Sequence, residues 1–186
     1  MAETTLFVGG IRSGKSGLAQ AWAEARSPHR LFMATLRVED DEMQRRVARH
    51  RAARGEGWDL LECADDVVGA LEGLVTDPQR PSVVVLDCLS TWIALLLERL
   101  DDTEILETVR VFCGMFPILP FDLGIVSCEV GTSLVPMHPL GRRFQDILGE
   151  ANQCVAKACS TVLFVSCGLP LLIKGSQLPC PFTAQQ

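Results

Sequence analysis

The residues with the most definite chemistry form a short glycine-rich stretch near the start of the chain. The stretch is Gly9-Gly10-Ile11-Arg12-Ser13-Gly14-Lys15-Ser16, which matches the G-x-x-x-x-G-K-S pattern of a phosphate-binding loop. Its glycines allow backbone N–H groups to turn inward and surround an anion. Lys15 can then reach the β- and γ-phosphates of a nucleotide, and the Ser16 hydroxyl can hold Mg²⁺. The stretch therefore predicts a site for a nucleoside triphosphate with Mg²⁺.

The segments on either side of this loop have the composition that the loop requires. Thr5 to Val8 is a β-branched and aromatic run, which predicts a buried first strand. Leu18 to Ala25 is rich in helix formers, and a helix start behind the loop adds the positive end of its dipole to the anion site. The alternative is a glycine turn that matches the pattern by chance, and the strand–loop–helix context disfavours it.

A carboxylate at the end of an apolar run, Asp87, is the second candidate for the site. Ser82 to Leu86 is a nearly continuous apolar segment, which is typical of a strand buried on both faces of a parallel sheet. A carboxylate in that place holds Mg²⁺ in enzymes that hydrolyse or transfer nucleotides. The alternative is an N-cap for the helix that follows. We favour the metal role because the phosphate loop already requires a metal partner.

A charged segment that predicts a helix from Glu39 to Arg54 contains the third candidate, His50. His50 lies four residues after Arg46 and four before Arg54, so the three side chains share one stripe of the helix. Neighbouring arginines disfavour the imidazolium form and can clamp phosphates. A neutral imidazole beside them can attack an α-phosphate. The alternative is a surface histidine on a solvated helix, which the spacing alone favours.

Apolar runs and helix-forming segments alternate along the rest of the chain, and these elements must position the candidates. Strands are predicted at 30–35, 58–62, 82–86, 123–128 and 161–166, the last of these being the final clear strand. Helices are predicted at 65–75, 89–100, 101–112 and 140–158, with a loop at 114–121. The alternation predicts an α/β fold of the P-loop nucleotide-binding kind, with a mostly parallel sheet and helices on both faces.

The carboxyl ends of the predicted strands carry most of the polar candidates. The phosphate loop, Thr35, Asp87 and Glu129 each end or follow a predicted strand. Ligands of parallel sheets bind at the carboxyl ends of the strands, so we expect these residues to converge on one site.

Length, charge and composition limit the class of protein. The 186 residues suit a single domain, predicted at 1–174, followed by a loose tail at 175–186. A net charge of −6 argues against nucleic-acid binding as the main function and leaves a local basic patch open, and no apolar run is long enough to span a membrane. The eight cysteines form no C-x-x-C pair and lie mostly in apolar segments. This usage predicts free, mostly buried thiols in a reducing cytoplasm rather than zinc ligands or disulfides.

Further motifs make the sequence similar to one known family. They are the phosphate loop; Ala34-Thr35; Asp40-Asp41-Glu42-Met43 with Arg46 and His50-Arg51; Val85-Leu86-Asp87-Cys88-Leu89; Glu129-Val130-Gly131 with Val135-Pro136; and Arg143-Phe144-x-Asp146-x-x-Gly149-x-x-Asn152-Gln153. Together they resemble the bifunctional adenosylcobinamide kinase / adenosylcobinamide-phosphate guanylyltransferase of cobalamin biosynthesis. The resemblance covers nearly the whole chain, from about residue 5 to Lys174. The phosphate loop is generic, whereas the blocks around His50 and after Glu129 are specific to this family.

The resemblance implies two reactions. In the first, a nucleoside triphosphate, ATP or GTP, phosphorylates the hydroxyl of the aminopropanol arm of adenosylcobinamide. In the second, a histidine attacks the α-phosphate of GTP, releases pyrophosphate and carries GMP until the substrate phosphate accepts it. His50 matches that histidine, and the product is adenosylcobinamide-GDP.

The resemblance also implies the residues of the site. Catalysis falls on His50 and Lys15, and metal binding on Ser16 and Asp87. Nucleotide contacts fall on Gly9 to Ser16 and on Ala34, Thr35, Leu36, Arg51, Ala52, Ala53, Arg54, Glu62 and Asp87. Glu62 ends a predicted strand, where a carboxylate suits the N–H edge of guanine; simple solvent exposure is the alternative. Three further residues are candidates for the corrinoid site: Glu129, Arg143 and Asp146. The alternative interpretations, a capped turn and a solvated helix face, stay open.

Two features depart from the family pattern. Members usually carry Asn where Cys128 stands, and the stretch between Trp92 and Val126 is shorter and richer in proline than usual. Members of the family that the sequence resembles form homotrimers with sites near subunit interfaces. The resemblance therefore implies a homo-oligomer.

Two other functions stay open for the sequence. One is a P-loop kinase of a small metabolite without covalent nucleotidyl transfer. The other is a nucleotide-binding switch, which is disfavoured because the sequence contains no N-K-x-D element for guanine recognition.

Overall fold

The computed structural model describes residues 2–35, 57–179 and 181–182. The helix predicted at Glu39–Arg54 lies outside these residues, together with Leu36, His50 and the run from Arg51 to Arg54. The described part is a seven-stranded sheet whose two faces are covered by helices, which confirms the predicted fold class. None of its helices is long and apolar enough to cross a membrane.

The sheet consists of β1 Thr4–Gly9, β2 Arg30–Ala34, β3 Trp58–Glu62, β4 Val83–Asp87, β5 Asp122–Cys128, β6 Thr161–Ser166 and β7 Leu169–Lys174. Their order across the sheet is β3-β2-β4-β5-β1-β6-β7. All pairs among β1 to β6 are parallel, so the carboxyl ends of these six strands lie along one edge of the sheet. β7 pairs antiparallel with β6.

Four of the five described helices begin at a side-chain cap or a glycine turn, and the one that begins after Cys88 has no side-chain cap bond. They are α1 Lys15–Glu24, α2 Val67–Thr76, α3 Leu89–Leu96, α4 Asp102–Gly114 and α5 Pro139–Ala158. The Asp66 carboxylate accepts the Gly69 N–H at 3.0 Å and starts α2. Asp101 and Glu104 form a capping box that starts α4. The helix predicted up to Leu100 therefore ends earlier, because the chain must turn before this cap.

Alternation along the strands divides the apolar core between the two faces of the sheet. On β4, Val84 and Leu86 belong to the larger cluster, with side chains of α2 to α5. Val83 and Val85 belong to the smaller cluster, with Trp22 of α1. Burial on both faces is the reason that β4 reads as a continuous apolar run.

The carboxyl-terminal part of the chain differs from the prediction. The prediction that β6 is the final strand is wrong, because β7 follows it after a two-residue turn. β7 depends on its pairing with β6 rather than on a buried face, and Leu169, Leu171 and Ile173 are exposed. In the segment predicted to be a loose tail, Phe182 is buried against Phe7, with ring centroids 6.5 Å apart. The loop predicted at 114–121 contains a short 3₁₀ helix at Phe116–Ile118.

Candidate active site

The carboxyl edge of the parallel strands brings together the described site candidates. Ala34 is the register partner of both Glu62 and Asp87, at the ends of three adjacent strands. Gly9 lies between Cys128 and Val165 at the ends of β5 and β6. The strand β5 separates the phosphate loop from Asp87, because it is inserted between β1 and β4.

The phosphate loop connects β1 to α1 through a backbone that only glycine allows at two places. Gly14 has φ 96° and is the N-cap of α1, with no side chain bonded to the first N–H groups of the helix. The first turn of α1 contains no acidic residue, so the positive end of the helix dipole is not neutralised there. Gly9 is buried, and a Cβ at Gly9 would overlap the Val165 carbonyl of the neighbouring strand. These features prepare the loop for an anion.

Lys15 is folded onto the loop itself. Its side chain is largely buried, with 8% of the residue exposed, and its Nζ donates to the Gly10 carbonyl at 2.9 Å. The hydroxyl of Ser13 is buried beneath the loop and has no hydrogen-bond partner among the described residues. The ammonium therefore lies at the mouth of the loop, held by a neutral carbonyl rather than by a carboxylate.

A pair of hydrogen bonds links the end of β2 to the residue after Asp87. The Thr35 hydroxyl donates to the Cys88 carbonyl at 2.9 Å and accepts the Cys88 N–H at 3.0 Å. Thr35 is fully buried, and its hydroxyl is engaged in these two bonds; the nucleotide contact that the resemblance implies for Thr35 stays a prediction. The N-cap of α3 is Cys88, and it makes no side-chain cap bond. The alternative of an N-cap at Asp87 is therefore not what the structure shows.

The thiol of Cys88 lies in the same corner of the site. Burial raises its pKa above the ordinary value for cysteine, and the nearby Asp87 carboxylate raises the pKa further. The thiol lies 3.0 Å from the Ser90 hydroxyl and 3.1 Å from the Thr91 hydroxyl. It stays protonated at neutral pH and serves as a polar neighbour of Asp87 rather than as a nucleophile.

Glu62 occupies the outermost end of this edge. It is exposed at the end of β3, which is the edge strand of the sheet. Four strand spacings separate β3 from β1, which corresponds to roughly 19 Å. Its exposure leaves both interpretations in place, a contact to guanine or simple solvation.

The residues considered for the corrinoid are engaged in local structure. Glu129 accepts the Gly131 N–H at 2.6 Å, which is the capped turn weighed as its alternative. Arg143 pairs with Asp102 at 2.6 Å and also donates to the Leu100 carbonyl at 2.8 Å, so it ties α5 to the start of α4. Asp146 is exposed and lines an open pocket between α4 and α5.

Two contacts at this edge were not predicted. The Asn152 amide donates to the Cys128 carbonyl at 3.0 Å, and its oxygen accepts from the Ser127 hydroxyl at 2.6 Å, which holds the end of β5. Gly168, in the turn between β6 and β7, donates to the Ser13 carbonyl at 2.8 Å. A Cys-Gly pair between two apolar runs is a hairpin signal that could have indicated this second contact.

The described cysteines do not build a metal centre. Those that the structure describes are unpaired thiols, most of them half-buried, with Cys159 buried and Cys167 exposed. Among the described residues, no cluster of three or more His, Cys, Asp or Glu side chains is arranged to hold a metal ion.

Comparison with known proteins adds independent findings. The family model for cobinamide kinase / cobinamide phosphate guanyltransferase matches residues 5–173. The bifunctional adenosylcobalamin biosynthesis protein CobP of Pseudomonas aeruginosa is 35% identical over 174 residues, covering 93% of this chain and 98% of the relative. The bifunctional adenosylcobalamin biosynthesis protein CobU of Salmonella typhimurium is 32% identical, covering 91% of this chain and 98% of the relative. Among solved structures, the P4 protein from bacteriophage phi6 in complex with ADP has a TM-score of 0.48 and 13% identity, covering 91% of this chain and 54% of that chain.

Proposed function

The chain belongs to the cobinamide kinase / cobinamide phosphate guanyltransferase family, and from that premise we propose that it uses one P-loop site and His50 for two reactions. It is an enzyme of cobalamin biosynthesis that phosphorylates adenosylcobinamide and transfers GMP from GTP to the resulting phosphate. The assignment of individual residues to these two steps is our proposal. The helix start without a side-chain cap, directly after the glycine loop, is the observation that supports it most.

The phosphate loop is proposed to hold the triphosphate in the kinase step. Backbone N–H groups from Gly9 to Ser16 would face the phosphates, and the Lys15 ammonium would leave the Gly10 carbonyl for the β- and γ-phosphates. The substrate hydroxyl attacks the γ-phosphorus, the bond to the β-phosphate oxygen breaks, and the hydroxyl proton is released. The protein positions the reactants and stabilises charge, which is the main requirement for phosphoryl transfer.

Ser16 and Asp87 are proposed to hold Mg²⁺. A hydroxyl and a carboxylate are hard oxygen donors, and this donor set at the carboxyl edge of the sheet suits Mg²⁺. When bound, the ion would neutralise negative charge on the phosphate oxygens. The bonds from Thr35 to the Cys88 peptide keep the end of β4 in place for this role.

His50 is proposed to carry GMP in the second reaction. An imidazole nitrogen attacks the α-phosphorus of GTP, an N–P bond forms, and the bond to the β-phosphate oxygen breaks with release of pyrophosphate. A phosphate oxygen of adenosylcobinamide phosphate then attacks the same phosphorus and breaks the N–P bond. The products are adenosylcobinamide-GDP and free His50, ready for another cycle.

The other two histidines provide matched controls for this step. His29 precedes β2, at the opposite edge of the sheet from the phosphate loop, and lies 3.6 Å from Asp59. The Nδ1 atom of His138 accepts the Leu140 N–H at 3.3 Å and caps α5. Neither position suits a nucleotide carrier as well as the arginine-rich segment around His50.

The test is covalent labelling with GTP that carries radioactive phosphorus at the α-position. The protein is incubated with Mg²⁺ and this GTP, denatured and separated, beside His50→Ala, His29→Ala and His138→Ala. We expect a label that survives base, is lost in acid and disappears only in His50→Ala, because a phosphoramidate behaves in this way. A wild-type protein that binds GTP but takes no label would contradict the proposal. The enzyme would then be better described as a P-loop kinase without covalent nucleotidyl transfer.

A homo-oligomer, a trimer by family resemblance, is proposed for the assembly. The exposed side chains of Leu169, Leu171 and Ile173 alternate along β7 and supply an apolar surface that a second copy can cover. Light scattering on the protein as it elutes from a sizing column measures the mass of the assembly directly.

A cytoplasmic location is proposed as well, because both reactions consume nucleoside triphosphates and the described thiols are unpaired.

A further inference from the structure

The turn between β6 and β7 lies against the phosphate loop. Its two central residues, Cys167 and Gly168, have φ values of 52° and 80°. Two successive positive φ values are typical of a tight two-residue hairpin, in which glycine is favoured because it has no Cβ. β6 is the neighbour of β1, so this turn emerges at the carboxyl edge of the sheet, beside the loop that follows β1.

Two contacts join the turn to the loop. The Gly168 N–H donates to the Ser13 carbonyl at 2.8 Å. A Cβ built on Gly14 would lie 3.0 Å from the Gly168 Cα, so the two backbones approach as closely as glycine allows. The loop is thus contacted by a turn that is distant in the sequence.

The direction of one peptide group gives this contact a consequence for binding. The Ser13 carbonyl and the Gly14 N–H belong to the same planar, trans peptide, so they point in opposite directions. A carbonyl that is held toward Gly168 directs the Gly14 N–H away from the turn. We propose that Gly168 is a positioning residue, which fixes the Ser13–Gly14 peptide so that the Gly14 N–H faces the nucleotide phosphates. This inference rests on the proposed function of the loop as the triphosphate site.

Space around Gly168 indicates why a substitution there is informative. No atom lies within 4 Å of a Cβ built on Gly168, so the positive φ, and not crowding, is what requires glycine. Alanine would strain the turn and shift its N–H group, whereas asparagine tolerates this conformation better. Both side chains fit at this position, so Gly168→Ala and Gly168→Asn differ mainly in how much they strain the backbone.

Gly175 provides the matched control. It follows the other end of β7, has φ 124°, and lies beside Thr161 at the start of β6. Gly175→Ala strains the same hairpin at the edge of the sheet opposite the phosphate loop. A role in the stability of β7 alone would make the two alanine variants alike.

The experiment measures the Kd of Mg²⁺-GTP and Mg²⁺-ATP by calorimetry, together with the melting temperature, for the wild type and the three variants. We expect Gly168→Ala to weaken nucleotide binding about tenfold, which corresponds to the loss of one hydrogen bond of about 1.4 kcal/mol. Gly175→Ala should lower the melting temperature at least as much as Gly168→Ala does, but it should leave the nucleotide Kd unchanged. Gly168→Asn should bind nucleotide nearly as tightly as the wild type. The KM for adenosylcobinamide should not change in any folded variant.

Equal nucleotide affinity in Gly168→Ala and Gly175→Ala would overturn the proposal. Failure of the wild type itself to bind either nucleotide would instead contradict the proposed function of the loop. If Gly168→Ala does not fold, amide hydrogen exchange on the wild-type protein decides the question. Slow exchange of the Gly168 amide would support the contact, and exchange as fast as that of an exposed turn would overturn it.

Discussion

The phosphate loop and the segment that follows β5 lie at the same edge of the sheet but are built in opposite ways. The loop is closely packed at its two ends, with Gly9 against the Val165 carbonyl and Lys15 8% exposed, while the Ile11 side chain between them is exposed. The segment from Glu129 to His138 presents apolar side chains to solvent, with Leu134 93% exposed and Met137 97% exposed. Main-chain contacts hold the loop, whereas the side chains of Leu134 and Met137 in the other region are almost fully open to solvent.

This difference fits the two kinds of substrate. A triphosphate is recognised by N–H groups and a cation in fixed positions, so its site must be rigid before binding. A large corrinoid offers extended apolar surface, which exposed leucine and methionine side chains can contact. An apolar pocket of about 450 Å³, lined by Leu97, Leu140 and Phe144 among others, lies where α5 begins near the end of α3. The comparison suggests that nucleotide binding is sensitive to single backbone changes and corrinoid binding is not.

The largest effect is expected from Lys15→Met. The variant removes the cation at the mouth of the loop, and loss of one preorganised charge-stabilising group costs about 10²–10³-fold in kcat. Initial rates of phosphorylation and of GMP transfer measure it. Lys174→Met is the control, because Lys174 donates to the carbonyls of Ala156 and Lys157 at the end of α5. A loss of less than tenfold in Lys15→Met would contradict the role given to this side chain.

The next largest effect is expected from Gly9→Ala compared with Gly10→Ala. A Cβ at Gly9 meets the Val165 carbonyl and comes within 2.9 Å of the Ser13 hydroxyl, whereas a Cβ at Gly10 meets no atom within 4 Å. Overpacking of this kind costs about 1–3 kcal/mol. We expect Gly9→Ala to lower the free energy of unfolding by that amount and to weaken GTP binding. Urea unfolding and calorimetry measure both quantities, and equal behaviour of the two variants would argue against a rigid loop.

A smaller and more selective effect is expected from Thr35→Val. Valine has a similar shape, but it leaves the N–H and the carbonyl of Cys88 without their bonds to Thr35 Oγ1. We expect a loss of about 2 kcal/mol in the free energy of unfolding and a higher Mg²⁺ concentration for half-maximal activity. Thr5→Val is the control, since Thr5 is also buried on a strand but donates to Glu3 at the opposite edge of the sheet. A shift in Mg²⁺ dependence in both variants would mean that the effect is one of stability alone.

The smallest effect on stability is expected from the double variant Leu134→Ser, Met137→Ser. Both side chains are almost fully exposed, so the free energy of unfolding should stay within about 0.5 kcal/mol of the wild type. The KM for adenosylcobinamide should rise several-fold while the KM for GTP does not change. Ile118→Ser is the control, because Ile118 is exposed just before β5 begins, at the other edge of the sheet. If the KM for adenosylcobinamide does not change, the segment from Glu129 to His138 is not part of the corrinoid site.

The sequence predicted the positions of the phosphate loop and of the strand that ends in Asp87, because the signals for both are local. Glycine spacing specifies the phosphate loop, and a continuous apolar run that ends in Asp87 specifies a buried parallel strand. The segment with His50 is also recognised from its residue types, although its structure lies outside the described residues. The bonds of the Thr35 hydroxyl to Cys88 could not be predicted, since a strand-end position does not reveal where a hydroxyl points.

By itself, the sequence therefore determined the fold class, the position of most strands and the place of the phosphate-loop motif between β1 and α1. Only the tertiary structure decided that β5 lies between β1 and β4 and that β7 is the edge strand beside β6. It also decided which groups hold the site together. The bonds between Thr35 and Cys88 join residues 53 positions apart, and Gly168 reaches Ser13 from near the other end of the chain. Contacts of this kind depend on the order in which strands pair. That order follows from the packing of the whole core, and residue patterns within one segment do not encode it.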